Sequence, residues 1–262
     1  MDTFVFFCTL GNLGAFSFGE DDTMTEFIQQ LRDNLTFVLV CALIGAALAV
    51  AAKLAERLLP AMRKTTKARR IALIAICSAI AAVLHILDFP LVFLAPEFYK
   101  LDFSELPVML CGFYLGPSAA VACEAVKIFL KLLLKGTSTA FVGDFANFAV
   151  GCSLVLPAVI IYHTGKRRQN AIIGLAVGTF VLTVFGSAFN AIYLLPKFSQ
   201  LFGLPLDSII AMGGKINGAI NSVSTFVLLA VAPLNLIKGI SISVLTLLLY
   251  KKVARPLFGI RE

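Results

Sequence analysis

Charge is what this sequence has least of. Only 14% of its 262 residues are Asp, Glu, Lys or Arg, while 59% are hydrophobic and the mean hydropathy is +0.93. A soluble domain carries about a quarter charged residues. A chain this poor in charge cannot cover its own exterior with polar groups, so lipid must cover it instead. Catalytic signatures are lacking too. There is no HExxH, no GxSxG and no paired-aspartate motif, and Gly213-Gly214-Lys215 lacks the rest of a phosphate-binding loop. No enzyme chemistry is expected. The six cysteines, Cys8, Cys41, Cys77, Cys111, Cys123 and Cys152, form no CxxC pair. Each lies in an apolar run, a spacing that supports neither a zinc site nor a disulfide framework and reads as small buried hydrophobes. A basic stretch of the kind that opens a secretory signal is also missing, because Asp2 stands before Phe4–Phe7.

The basic residues that are present are clustered. Lys53, Arg57, Arg63, Lys64, Lys67, Arg69 and Arg70 form one group, Lys166–Arg168 a second, and Lys251, Lys252, Arg255 and Arg261 a third. These hold fourteen of the 22 Lys and Arg, and only Glu56 and Glu262 share those stretches. Positive charge concentrated in alternate loops marks the cytoplasmic side of a membrane protein. The net charge of +7 therefore points to topology, not to nucleic acid. The acidic stretch Glu20, Asp21, Asp22 and Glu26 fits an N-terminus outside, and the last cluster puts the C-terminus in the cytoplasm.

A spanning helix needs about 20 apolar residues. Leu35–Leu54 and Ile71–Leu87 satisfy this. The stretch Asp88–Glu105, with Pro90, Pro96, Asp102 and Ser104, reads as an outer loop. Leu106–Leu134 is either one long helix or a hairpin turning at Gly116-Pro117. Only the hairpin keeps all three basic clusters on one face, although its first arm is short. Phe141–Tyr162 and Ala171–Leu195 follow, the latter ending near Pro196. Lys197–Ala232 has room for a re-entrant or interfacial helix, and Pro233 suits the first turn of a final helix running to about Tyr250. The expected fold is all-α: a polytopic bundle with a six-helix domain at 64–262 and an N-terminal extension at 1–63 carrying one extra transmembrane helix.

Polar groups inside membrane helices are costly, so each is a functional candidate. Asp144 and Asn147 fall near the start of one predicted helix, Asn190 and Tyr193 at the end of the next, and Asn235 and Lys238 at the start of the last. Asn235 and Lys238 are three residues apart and share a face. Two readings stay open on this pattern alone: a pocket facing outward for a ligand of mixed carbonyl, imide and hydroxyl character, or ordinary polarity at helix ends. Glu124, Lys127 and Lys131 share one face and read as an ion pair plus a snorkelling lysine. His85 and His163 read as structural. Ala68, Ala72, Ala75 and Ala79, with Ala81 and Ala82 beside them, form a small-residue stripe suited to close helix contact.

Several runs, in order, resemble one family. Phe98-Tyr99-Lys100-Leu101-Asp102-Phe103-Ser104-Glu105-Leu106-Pro107 is similar to the first outer loop of riboflavin-specific S components of energy-coupling-factor (ECF) transporters. So are Gly112-Phe113-Tyr114-Leu115-Gly116-Pro117 and Glu124-Ala125-Val126-Lys127. Val142-Gly143-Asp144-Phe145-Ala146-Asn147-Phe148, Asn190–Pro196 and Pro233–Gly239 resemble later elements of the same family, and the likeness covers roughly 67–256. It implies a six-helix subunit that binds riboflavin near the outer face without chemical change, riboflavin being cargo and no cofactor being needed. It implies docking on a transmembrane coupling subunit with two cytosolic ATPase subunits. It assigns Asn190, Asn235, Lys238 and Tyr193 to ligand contact, Gly143 and Asn147 to the pocket wall, Leu101 and Phe103 to a gating loop, and Ala75 and Ala79 to the coupling subunit. The segment before about Arg63 has no counterpart in the usual family pattern, and the Lys197–Ala232 stretch is longer than usual. An S component for another vitamin, or a membrane scaffold or enzyme, are the alternatives.

Overall fold

The computed structural model describes residues 35–59, 65–137, 139 and 141–258. Cys8, the acidic stretch 20–26 and Arg63–Lys64 lie outside them. Packing divides the chain into two units, Met1–Leu43 and Ile44–Glu262. Among the described residues of the second unit, the elements are helical apart from one pair of two-residue strands. The helices are α1 (Leu35–Leu58, entering from the first unit), α2 (Lys67–Ile86), α3 (Glu105–Leu115), α4 (Pro117–Lys135), α5 (Val142–Gly165), α6 (Arg168–Phe189), α7 (Leu195–Phe202), α8 (Leu206–Ile216), α9 (Val223–Phe226) and α10 (Ala232–Phe258). Strands β1 (Phe89–Pro90) and β2 (Lys100–Leu101) pair antiparallel and pinch the outer loop at its base.

Among the described residues, four stretches are long and apolar enough to cross a membrane: Lys67–Ile86, Val142–Gly165, Arg168–Gln200 and Val223–Tyr250. The hairpin expected at Gly116-Pro117 is present. Gly116 takes φ 104°, a conformation that favours glycine, and Pro117 opens α4 as its first residue. The short arm α3 has a physical reason. All 11 of its residues are buried, so protein surrounds it and it needs no lipid-facing length. At Gly112 a Cβ would lie 2.5 Å from Val159, so that glycine allows α3 to press against α5.

The same device joins α5 to α6. Cβ atoms at Gly174 and Gly178 would meet the carbonyl oxygens of Ala158 and Leu154 at 2.6 and 2.5 Å. Small residues substitute here for the hydrophobic drive that lipid does not supply. Thr179 then bonds Ser243 at 3.1 Å to tie α6 to α10. At the opposite edge Ala52 of α1 is buried with Val121, Cys152 and Leu156. Glu56 accepts from the backbone N–H and hydroxyl of Ser118 at 2.9 and 2.7 Å, satisfying an otherwise orphan donor at the start of α4.

Three expectations are corrected. The helix expected to stop near Pro196 continues to Phe202, and Pro233 does not start a new span: α9, a π turn and α10 run on from Val223 as one apolar stretch. In both cases a five-residue π turn, Asn190–Leu194 or Val227–Val231, ends two positions before the proline. A proline lacks an N–H and clashes with the carbonyl four residues back. The wider π turn removes that conflict, so the helix runs through. Finally, Ala81 and Ala82 do not widen the alanine stripe. They are buried in the bundle, whereas Ala68, Ala72, Ala75 and Ala79 lie exposed on α2.

Among the described residues, the buried apolar side chains form a main core around α2–α6 and α10 and a smaller outer one. The outer core joins Ala95 and Tyr99 of the β1–β2 loop to Leu195, Ile209, Ile220 and Phe226. The long 197–232 stretch thus folds over the outer loop through α8.

Candidate ligand-binding site

Lys238 of α10 lies in the bundle interior, where an unpaired ammonium is very costly. Its Nζ donates to Asp102 Oδ2 at 3.2 Å and to Glu105 Oε1 at 3.0 Å. Both carboxylates come from the outer loop and the first residue of α3. Asp102 is held in turn. Its Oδ1 accepts from the Ser104 N–H at 2.8 Å, and its Oδ2 lies 3.4 Å from His85 Nδ1. Burial alone would raise the Asp102 carboxyl, but the Lys238 charge and the His85 side chain beside it outweigh that and hold the group well below the usual carboxylate range.

The network runs deeper through Glu105. Oε1 of Glu105 is also 3.5 Å from Lys127 Nζ, which donates to Ser104 Oγ at 3.0 Å and to Glu124. The expected Glu124–Lys127 ion pair is present, and no lysine of this face snorkels. Lys127 is fully buried, and Lys131 bonds Asp144 at 2.6 Å. One loop and helices α3, α4 and α10 are thereby linked by two cations and three carboxylates.

Asn190 stands on the π turn after α6. Its Oδ1 accepts from the Tyr99 hydroxyl at 2.7 Å, and its Nδ2 donates to the Gly186 carbonyl at 2.9 Å. Asn235 lies against the same glycine: a Cβ at Gly186 would come within 2.7 Å of Asn235 Nδ2. The structure therefore brings Asn190, Asn235 and Lys238 to one region under the outer loop. They sit within continuous helices, beside π turns, and not at helix ends as the sequence suggested. π turns recur at functional sites because they redirect side chains locally.

The Nδ2 of Asn235, the Oγ of Ser187 and the Oε2 of Glu105 are buried without a hydrogen-bond partner. Buried polar groups are nearly always paired, so these three atoms leave donor and acceptor capacity unused within the chain. Among the described residues, no group of three or more His, Cys, Asp or Glu side chains is arranged to hold a metal ion.

The other expected residues fall around this centre. Leu101 is buried on β2, and Phe103 packs into the main core with its ring 6.0 Å from Phe89. Asn147 donates to the Gly143 carbonyl at 3.0 Å, and the Gly143 N–H donates to Thr139 at 3.0 Å. With Lys131, Thr137 and Asp144 they form a second polar group at the α4–α5 turn. Tyr193 stacks on Phe189 at 5.3 Å, which stacks on the exposed Phe185, an aromatic ladder along one side of the helix. Ala75 and Ala79 lie exposed on α2, on a different face from the buried His85 and Cys77. Sequence reasoning missed Tyr99, Asp102, Glu105 and His85 as members of the centre. One signal was available: a lysine in an apolar helix requires a counter-charge, and the acids of the outer loop are the candidates at that depth.

Comparison with known proteins shows the family. Residues 69–250 match the model of the family described as "ECF transporter, substrate-specific component". The chain is 35% identical over 186 residues to the riboflavin transporter RibU of Staphylococcus aureus (strain TCH60), covering 71% of this chain and 90% of that one. It is 30% identical over 188 residues to the riboflavin transporter FmnP of Bacillus subtilis (strain 168), covering 71% and 93%. A solved structure, described as the structure and mechanism of the S component of a bacterial ECF transporter, superposes with a TM-score of 0.58 at 35% identity, over 75% of this chain and 100% of that one. The chain is therefore a multi-pass membrane protein of the ECF transporter S-component family, a substrate-binding transport subunit that works with an ECF module and not an enzyme.

Proposed function

We propose that the chain binds riboflavin at the extracellular side and delivers it for ATP-driven uptake. The observation that carries this reading is the convergence of Asn190, Asn235 and Lys238 beneath the outer loop, with the Asn235 amide unpaired. Amides that both donate and accept suit the carbonyl and imide edge of an isoalloxazine, and hydroxyls of a ribityl chain suit the carboxylate side. The curated relatives named as riboflavin transporters support the same ligand. Gly143 and Asn147 line the wall, Leu101 and Phe103 belong to the loop that closes over the ligand, and Tyr193 borders it.

The ligand leaves chemically unchanged, so the energy comes from partners: a transmembrane coupling subunit and two cytosolic ATPases. The exposed alanines Ala75 and Ala79 give that coupling subunit a flat surface for close helix approach. The N-terminus lies outside and the C-terminus in the cytoplasm. The basic clusters support this orientation, for they fall at the end of α1, the starts of α2 and α6, and the end of α10. Residues 1–63 form an extension with one additional spanning helix before the domain at 64–262.

Titration of the purified chain against riboflavin, thiamine and biotin tests the reading. Saturable quenching of flavin fluorescence, unaffected by excess thiamine or biotin, is the expected result. Absence of quenching, with displacement or binding of another vitamin, would transfer the site to that ligand.

A further inference from the structure

Glu56 is an acid in basic surroundings, since Lys53, Arg57, Lys67, Arg69 and Arg70 share its stretch. It reaches across 62 positions of sequence to α4. Its Oε1 accepts from the Ser118 N–H at 2.9 Å and from the Ser118 hydroxyl at 2.7 Å. Arg70 of α2 closes a ring: its Nη2 donates to Ser118 Oγ at 2.7 Å and lies 3.6 Å from Glu56 Oε1. Pro117 has no N–H, so Ser118 carries the first orphan donor of α4, and a carboxylate there also suits the helix dipole. The end of α1 and the starts of α2 and α4 thus meet on one carboxylate oxygen.

A packed seam leads to this ring. Gly45, Leu48, Ala49, Ala52 and Glu56 recur at helical spacing on one side of α1. Ala52 is fully buried with Val121, Cys152 and Leu156, and Leu48, Ala49 and Phe148 pack beside them. A Cβ at Gly45 would lie 3.8 Å from the Phe148 ring, an ordinary contact. On the other side Leu43, Val50, Leu54 and Leu58 are exposed, as a lipid-facing surface requires. From Gly45 to Glu56, α1 therefore runs along α5 and α4 as part of the bundle. Ala75 and Ala79 of α2 stay uncovered.

We propose that α1 is a working part of the transport subunit: Glu56 is a positioning residue that fixes the head of α2, and with it the alanine face offered to the coupling subunit. This rests on the reading of Ala75 and Ala79 given above. Arg70 lies on α2 about a turn and a half before Ala75, so the ring orients that helix just ahead of the face it presents. The ligand centre is farther away, for Ser118 precedes Lys127 by about 13 Å of helix. Glu56 therefore acts on coupling and not on ligand affinity.

The test pairs a riboflavin titration of the purified full chain with uptake by cells that supply the ECF module. Glu56→Ala should leave riboflavin affinity within about twofold of wild type, because the two regions are separate. Its maximal uptake rate should fall about fivefold, the equivalent of one lost helix cap, at an unchanged half-saturating concentration and an equal amount of chain in the membrane. Glu56→Gln keeps an acceptor for Ser118 and should restore most of the rate. Full uptake by Glu56→Ala would overturn the proposal. So would a rise in its half-saturating concentration, or a Glu56→Gln rate no better than that of Glu56→Ala. If Glu56→Ala shows no cooperative thermal transition, Ser118→Ala, which removes only the hydroxyl from the ring, decides. Slowed uptake at normal affinity then supports the proposal, and unchanged uptake overturns it. Uptake undisturbed by Ala75→Leu with Ala79→Leu would remove the docking reading of α2 and this proposal with it. Uptake lost in that pair but full in Glu56→Ala defeats this proposal alone.

Discussion

The Tyr99 hydroxyl donates to Asn190 Oδ1 at 2.7 Å, joining the outer loop to the π turn of α6 across 91 positions of sequence. Asn190 is fixed from both sides, because its amide nitrogen is held by the Gly186 carbonyl. The loop thus sets how a main candidate ligand group is presented. Tyr99→Phe keeps the ring contacts with Phe98 and Phe226 and removes only the hydroxyl. Riboflavin affinity should fall about three- to tenfold, the equivalent of one neutral hydrogen bond, while the thermal transition moves little. Isothermal or fluorescence titration measures this.

Lys238→Met should act mainly on stability. It leaves Asp102 and Glu105 facing each other in a buried space, and breaking one partner of a buried ion pair costs about 3–5 kcal/mol. Adding Glu105→Gln to Lys238→Met should recover part of the loss. A double-mutant cycle on melting in detergent reads the coupling, which should exceed about 1 kcal/mol.

Gly186→Ala probes the other side of the centre. The new methyl group would lie 2.7 Å from Asn235 Nδ2 and 3.3 Å from its Cγ, so the amide must move. Riboflavin affinity should drop at least about tenfold, since polar recognition tolerates little displacement. The helical circular dichroism should stay unchanged.

Ala75→Leu with Ala79→Leu separates binding from transport. Both positions are exposed on α2 and away from the Lys238 centre. The isolated chain should bind riboflavin normally, whereas uptake by cells supplying the complete ECF module should fall severely. Loss of binding instead would place these residues within the site.

Much of this was legible because the physics was local or set by composition. The deficit of charge required a membrane. The basic clusters chose the hairpin at Gly116-Pro117 over a single long helix, and the glycine at φ 104° makes that turn. Asn190, Asn235 and Lys238 stood out because polar groups in apolar helices are rare. The helix end at Pro196 and the helix start at Pro233 were misjudged, because π turns no local pattern announced let the helix run through each proline. The partners of Lys238 were invisible for another reason. Asp102 and Glu105 lie 136 and 133 residues away in sequence, so only the packed bundle pairs them.

The most direct test of the central claim is an experimental structure of the chain with riboflavin bound. The flavin should lie beneath the outer loop, within hydrogen-bonding distance of Asn190 and Asn235 and beside the Lys238–Glu105 pair. A flavin bound elsewhere, with the Asn235 amide still unpaired, would contradict it.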